Sequence, residues 1–137
     1  MATTKLKQRN GTAVDAARID AFKRDMHGPV ILPGDAGYDA ARRIWNASID
    51  RHPGLIACCS GTADVVQAVK FARANDLLVA VRGGGHNVGG RALCDDGIVI
   101  DLSGMKGVYV DPRRRTALVQ AGATLGDVDR ETHVHGL

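Results

Sequence analysis

Aromatic side chains are nearly missing from this sequence, which has one tryptophan, two tyrosines and two phenylalanines in 137 residues. That scarcity excludes the alternation of basic and aromatic residues on which nucleic-acid bases stack. Charge of one sign is also in short supply, the formal net charge being +3 at pH 7. Part of that excess is Arg113-Arg114-Arg115, which follows Asp111-Pro112 and reads as a solvated hairpin tip rather than a nucleic-acid surface. There are only three cysteines, Cys58, Cys59 and Cys94, an odd count with two adjacent in an apolar run, so no disulfide framework is expected. No apolar run reaches the roughly 18 residues of a membrane span. Residues 1–11 are polar, carry Lys5, Lys7 and Arg9, and lack the apolar stretch of a secretory signal. The expectation is a cytoplasmic protein without nucleic-acid or membrane partners.

What is there is an ordinary globular composition, 45% hydrophobic and 24% charged. Residues 1–12 read as a frayed arm, and 14–26 as an amphipathic helix with Val14, Ala17, Ala21 and Phe22 inward. Gly28-Pro29 ends that helix, Val30-Ile31-Leu32 reads as a short strand, and 38–47 as a second helix carrying Ile44 and Trp45. Trp45 is expected to be a core or edge anchor rather than a ligand-stacking residue. Arg51-His52-Pro53-Gly54 is a break, which divides the chain into an N-terminal arm with helices, 1–50, and a second unit, 51–137.

In that second unit 55–59 reads as a buried strand, in which Cys58 and Cys59 act as small hydrophobes. Thr62 is placed to cap a helix reaching about residue 75, with Asp64 in its first turn and Val65, Val66, Val69, Phe71 and Ala72 as its apolar face. Residues 77–81 are an unbroken apolar run, the pattern of a strand buried on both faces. Strand, helix and strand make a β-α-β unit with a right-handed crossover. Short strands at 98–100, 108–110 and 116–121, separated by tight turns, predict a mostly antiparallel extension and an α+β fold. Gly122 ends the last strand, and Thr124 caps a final helix with Leu125 and Val128 inward.

The second strand of the β-α-β unit runs into Arg82-Gly83-Gly84-Gly85-His86-Asn87-Val88-Gly89-Gly90. Glycines after a strand let main-chain N–H groups approach an anion, and Arg82 at the edge would add a permanently charged fork. The spacing is not the dinucleotide G-x-G-x-x-G, since Val88 stands where the third glycine belongs, and no Gly-Lys-Ser/Thr follows as in a P-loop. His133-Val134-His135 lacks a second cluster at metal-ligand spacing, so no metal site is expected. His27 and His52, beside Gly-Pro and Pro-Gly turns, are expected to face solvent. His86 is the one reactive side chain in the loop.

Four segments carry a resemblance: Cys59-Ser60-Gly61-Thr62-Ala63-Asp64-Val65-Val66, the loop at 81–90, Ile98-Val99-Ile100-Asp101-Leu102-Ser103, and Ala121-Gly122-Ala123. In this order they resemble the first lobe of the FAD-binding domain of p-cresol methylhydroxylase (PCMH) and vanillyl-alcohol oxidase type. Arg82-Gly83-Gly84-Gly85-His86 resembles the berberine-bridge-enzyme-like oxidases in particular. The resemblance extends over roughly residues 38–137.

It implies a flavin-dependent oxidoreductase in which Arg82, Gly83, Gly84, Gly85, Asn87, Val88, Gly89, Gly90 and Gly122 hold FAD. It also implies that His86 is joined covalently to the flavin 8α-methyl carbon, a role suited to a neutral, nucleophilic imidazole. In that family a hydride passes from a substrate C–H to flavin N5, and dioxygen often takes the electrons. Family members are several times longer, with a second FAD lobe that often carries a second linking cysteine, and a substrate domain with the catalytic base. Neither is expected among these residues, and Cys94, in the loop after His86, is not assigned that cysteine's role. The expectation is therefore an FAD-binding portion without catalytic residues of its own, meeting substrate only in the complete enzyme. The alternative is a non-catalytic remnant or interaction module that binds flavin weakly or not at all.

Overall fold

The computed structural model describes residues 5–137. Helix α1 (Ala16–Asp25) starts where the Asp15 carboxylate accepts the Ala17 N–H at 2.9 Å, and it ends on Lys23 and Arg24, which suit the negative end of the helix dipole. It buries Ile19 and Phe22, while Ala17, expected inward, is exposed. Strand β1 (Val30–Ile31) and a single helical turn, α2 (Tyr38–Ala41), follow. The second helix expected over 38–47 stops there, and 42–49 continue as an irregular segment.

Strand β2 (Leu55–Cys58), helix α3 (Thr62–Ala74) and strand β3 (Val79–Arg82) form the expected β-α-β sequence. β2 and β3 are not neighbours, however. Strand β4 (Ile98–Asp101) lies between them, parallel to both, in the order β1-β2-β4-β3, with β1 antiparallel to β2. The antiparallel extension expected from 98 onward is thus only the hairpin of β5 (Val108–Asp111) and β6 (Thr116–Val119), with Arg113, Arg114 and Arg115 at its exposed tip. The continuous run Ile98-Val99-Ile100 is what a central parallel strand requires, and all of β4 is buried. β3 takes the sheet edge instead: Ala80 and Arg82 are buried while Val79 and Val81 are exposed, against the expectation of burial on both faces.

The pleat sends Leu55, Ala57, Ile98 and Ile100 to one side, against Ile19, Phe22, Met26, Ala68 and Ala72. Phe22 of α1 stacks on Phe71 of α3 with centroids 4.3 Å apart. The other side packs Ile56, Ala80 and Val99 on Tyr38, Leu93 and Cys94, with Ile44 and Ile49 beside them. The inward face of α3 is Ala68 and Ala72 with Val65 and Phe71, so Val66 and Val69 point to solvent, a shift of the expected stripe. Each fully buried Leu or Ile contributes about 1.5–3 kcal/mol.

Residues 5–50 and 51–137 share these cores, because β1 pairs with β2 and Leu6, Val14 and Phe22 are buried with Leu55. The described part of the expected N-terminal arm is therefore docked: Leu6 is wholly buried, and Gln8 bridges to Leu77. The arm's first residues, 1–4, lie outside the described residues. Helix α4 (Leu125–His133) opens with a capping box in which Thr124 and Asp127 bond reciprocally, yet Leu125 is exposed and Val128 only half-buried, against the expected inward placement. No helix among the described residues is long and apolar enough to cross a membrane.

Candidate functional site

At the end of the β3–β4 ladder Arg82 stands opposite Asp101. Its Nε and Nη2 donate to the two Asp101 oxygens at 3.1 and 2.5 Å, and Nη1 donates to the Ala41 carbonyl at 2.5 Å. Both partners are buried. Burial alone would raise the Asp101 pKa, but the Arg82 hydrogen bonds, the Ser103 N–H and the guanidinium charge outweigh it and hold it below the usual carboxylate value. Expected as an anion donor at the loop's edge, Arg82 is instead an internal fastener.

The residues after Arg82 turn out of the sheet. Gly85 and Gly90 have φ of +72° and +71°, the left-handed region that glycine enters without strain. Two other glycines answer to crowding: a Cβ on Gly83 would stand 2.4 Å from the Ala121 carbonyl oxygen, and one on Gly122 only 2.1 Å from that of Leu102. Gly122 is thus required by the protein's own packing. Gly84 leaves room for the His86 ring, which would lie 3.2 Å from a Cβ there. Gly89 has no comparable demand on it, since a Cβ would meet only the Asn87 side chain at 3.6 Å.

The loop borders a cavity of about 290 Å³ lined by Gly83, Gly84, Gly85, His86, Asn87 and Arg91, among others. The main-chain N–H groups of residues 84–89 have no acceptor among the described residues, and the chain turns back at Gly90, whose N–H donates to the Asn87 carbonyl. The Asn87 side chain accepts the Arg91 N–H at 3.0 Å and shapes the turn, while Val88 is 77% exposed. The His86 imidazole is exposed, with the Trp45 ring 5.7 Å away and inclined by 32°. Arg91 has no carboxylate partner among the described residues. Unpaired donors, a free guanidinium and an uncommitted imidazole around one hollow suit a polyanionic ligand with a site for nucleophilic attachment.

Sequence reasoning missed two residues here. Trp45, expected in the core or at its edge, is 74% exposed and stands beside His86, which no periodicity in 38–47 signals. Arg91 had a signal, a cation directly after Gly89-Gly90.

The Cys58 thiol donates to Asp101 Oδ2 at 4.0 Å, while Cys59 and Cys94 stay apart from the site. Cys94 is buried against the Leu78 and Ile98 carbonyls, and burial pushes its thiol up to about 11, as it does that of Cys59. His27 and His52 are largely exposed, as expected. His133 and His135 are exposed at the end of α4, and no group of three or more His, Cys, Asp and Glu side chains that could hold a metal ion comes together among the described residues.

A family profile described as "FAD binding domain" matches residues 53–137. (R)-6-hydroxynicotine oxidase of Paenarthrobacter nicotinovorans is 39% identical over 112 residues, covering 82% of this chain and 24% of that protein. The crystal structure of 6-hydroxy-D-nicotine oxidase from Arthrobacter nicotinovorans superposes with a TM-score of 0.77 at 39% identity, over 81% of this chain and 24% of that one. A berberine-bridge-enzyme-like protein of Physcomitrella patens superposes with a TM-score of 0.73 at 27% identity, over 79% of this chain and 24% of that one. The chain spans about a quarter of the length of the curated relatives it matches.

Proposed function

Because this chain belongs to the FAD binding domain family of FAD-linked oxidoreductases, we propose that the glycine loop is its FAD site and that His86 forms a covalent link to the flavin. One observation carries the reading, the run of unpaired main-chain N–H groups over residues 84–89 with the exposed His86 imidazole in its midst. The residues fit the group. Gly89 is a glycine for which the protein's own packing gives no reason, and a close-lying pyrophosphate supplies one.

The N–H groups of 84–89 would receive the pyrophosphate oxygens, and Arg91 would add the positive charge that Arg82, bound to Asp101, does not offer. Arg82 fixes the start of the loop relative to β4. His86 would hold the flavin through a neutral ring nitrogen: the new C–N bond replaces an 8α-methyl C–H, whose proton goes to solvent and whose two electrons go to the flavin and from it to dioxygen, and the fixed loop would reduce the freedom lost on reaction. When bound, FAD supplies a two-electron acceptor for a substrate C–H, so the complete protein is an oxidase that takes hydride at flavin N5. Its substrate and catalytic base lie with residues other than those of the loop.

Flavin fluorescence on a denaturing gel tests the reading. The chain loaded with FAD should retain fluorescence in its band. His86→Ala should lose it while still binding FAD reversibly in a fluorescence-quenching titration. Fluorescence that persists in His86→Ala refutes the covalent role. Failure of the wild-type chain to take up FAD overturns the whole reading in favour of a non-catalytic module.

A further inference from the structure

Residues 41–49 are linked to the glycine loop at one point after another. Arg82 Nη1 donates to the Ala41 carbonyl and, at 3.5 Å, to that of Arg43. The Trp45 N–H donates to the Gly85 carbonyl at 3.3 Å, and the Asn46 amide to the Val88 carbonyl at 3.1 Å. Ile44 packs over Gly85, and Ile49 lies so close over Gly90 that a Cβ there would come within 2.8 Å of it. The segment is itself closed by Arg42, which pairs with Asp39 at 2.8 Å and with Asp50, and donates to the Arg51 carbonyl at 3.3 Å. The segment 41–49 itself lies N-terminal to the stretch matched by the FAD binding domain profile, 53–137, whereas the loop it holds lies within it.

Ile44 and Ile49 turn inward to the core, whereas Trp45 stays 74% exposed and meets the His86 ring. A bare indole against a nucleophile is not a packing device, for it buries little. It does limit the rotation of the imidazole, and an aromatic contact of this kind is worth a few-fold in the population of one rotamer.

We propose that residues 41–49 are a strap that sets the shape of the glycine loop, and that Trp45 is a positioning residue that holds the His86 imidazole for its bond to flavin. The consequence for bond formation rests on the function proposed above; the contact does not.

The experiment has two arms, and the first needs no flavin. Trp45 is the only tryptophan, so its emission reports on its own surroundings. An imidazole in contact with an indole quenches it, so the flavin-free chain should emit more weakly than His86→Gln in the same buffer. Arg91, the other ionisable side chain on the cavity wall, is present in both proteins and accounts for no difference. Equal emission of wild type and His86→Gln overturns the contact.

In the second arm the rate of covalent flavin attachment is followed on denaturing gels. Trp45→Ala should be about threefold to tenfold slower, the factor that an ordinary aromatic pair provides. Trp45→Phe should restore most of the rate. Equal rates for all three proteins refute the positioning role, whereas a wild-type chain that takes up FAD but forms no covalent product refutes the covalent link, and the emission arm then decides the Trp45–His86 contact.

Discussion

The buried pair Arg82–Asp101 offers the sharpest test of how the loop is anchored. Replacing Arg82 by Met keeps the stem but leaves the Asp101 carboxylate, 5% exposed, without its guanidinium, and frees the Ala41 carbonyl that Nη1 engages. Breaking a buried pair from one side costs about 3–5 kcal/mol, a large part of the roughly 5–15 kcal/mol by which a domain is stable. Urea denaturation at pH 7 measures it. The dependence on pH distinguishes an orphaned charge from mere lost packing. In the wild type the folded Asp101 pKa is depressed, so its contribution is present above about pH 4 and is lost only as pH falls through the folded value. Without Arg82, burial dominates and raises that pKa, so the variant gains relative stability as acid protonates the carboxyl. The deficit should therefore narrow between pH 7 and about pH 4, and Arg82→Met/Asp101→Asn should recover at least about half of it at pH 7. A single variant within about 1 kcal/mol of wild type, or a deficit that does not change with pH, refutes the reasoning.

Two further predictions concern the scaffold. Asp64, wholly buried, accepts the N–H groups of His27, Gly28 and Ser60 and the Ser60 hydroxyl at 2.7–3.0 Å. Burial opposes its ionisation, but these donors hold its pKa far below the ordinary value, so its stabilising effect is present above about pH 4 and disappears in stronger acid. Asp64→Asn should cost about 3 kcal/mol at pH 7 and clearly less at about pH 2, because the wild type has by then lost a large part of the same term; equal costs at both refute the assignment. Gly122→Ala, whose Cβ would stand 2.1 Å from the Leu102 carbonyl oxygen, should lower stability by about 1–3 kcal/mol in urea. Gly126→Ala, in the first turn of α4 where a Cβ would meet only the Thr124 hydroxyl at 3.9 Å, should be neutral or stabilising by up to about 1 kcal/mol; the opposite order of the two variants would contradict the packing.

The sequence legible in advance was that whose local pattern settles its state. β2, α3 and β3 follow from an apolar run, a helical stripe and a second apolar run, and the hairpin tip follows from Asp111-Pro112 and its arginines. The insertion of β4 between β2 and β3 was not legible. The run Ile98-Val99-Ile100 is compatible with a hairpin or a central strand, and only pairing over long separations decides between them. The same limit hid the strap. Ile44 and Trp45 lie next to each other in sequence, but the Gly85 carbonyl that holds the Trp45 N–H turns one side chain to the core and the other to His86. The phase of α3 was misjudged because Val66 and Val69 are apolar yet small enough for exposure to cost little.

The two arginines at the ends of the loop show why residue type alone does not assign a role. Arg82 and Arg91 flank the same glycines, and either could meet an anion. Asp101 decides between them. If Arg82 turned to a ligand, a buried carboxylate would be left with the Ser103 N–H but without its counter-charge, a loss of several kcal/mol that one more phosphate contact does not offset. Arg91 faces no such cost, because it is exposed and has no carboxylate partner among the described residues. The glycines divide in the same way. Gly83, Gly85 and Gly90 are required by the neighbouring backbone, by positive φ or by the strap, whereas a Cβ on Gly84 would ask only a small shift of the exposed His86 ring. That leaves Gly84 and Gly89, in the stretch of N–H groups unpaired among the described residues, open to a ligand. The loop is held from within by residues that the sequence pattern nominated as ligands, and under the proposed reading its capacity to bind would lie in the main chain and in a cation that the pattern passed over.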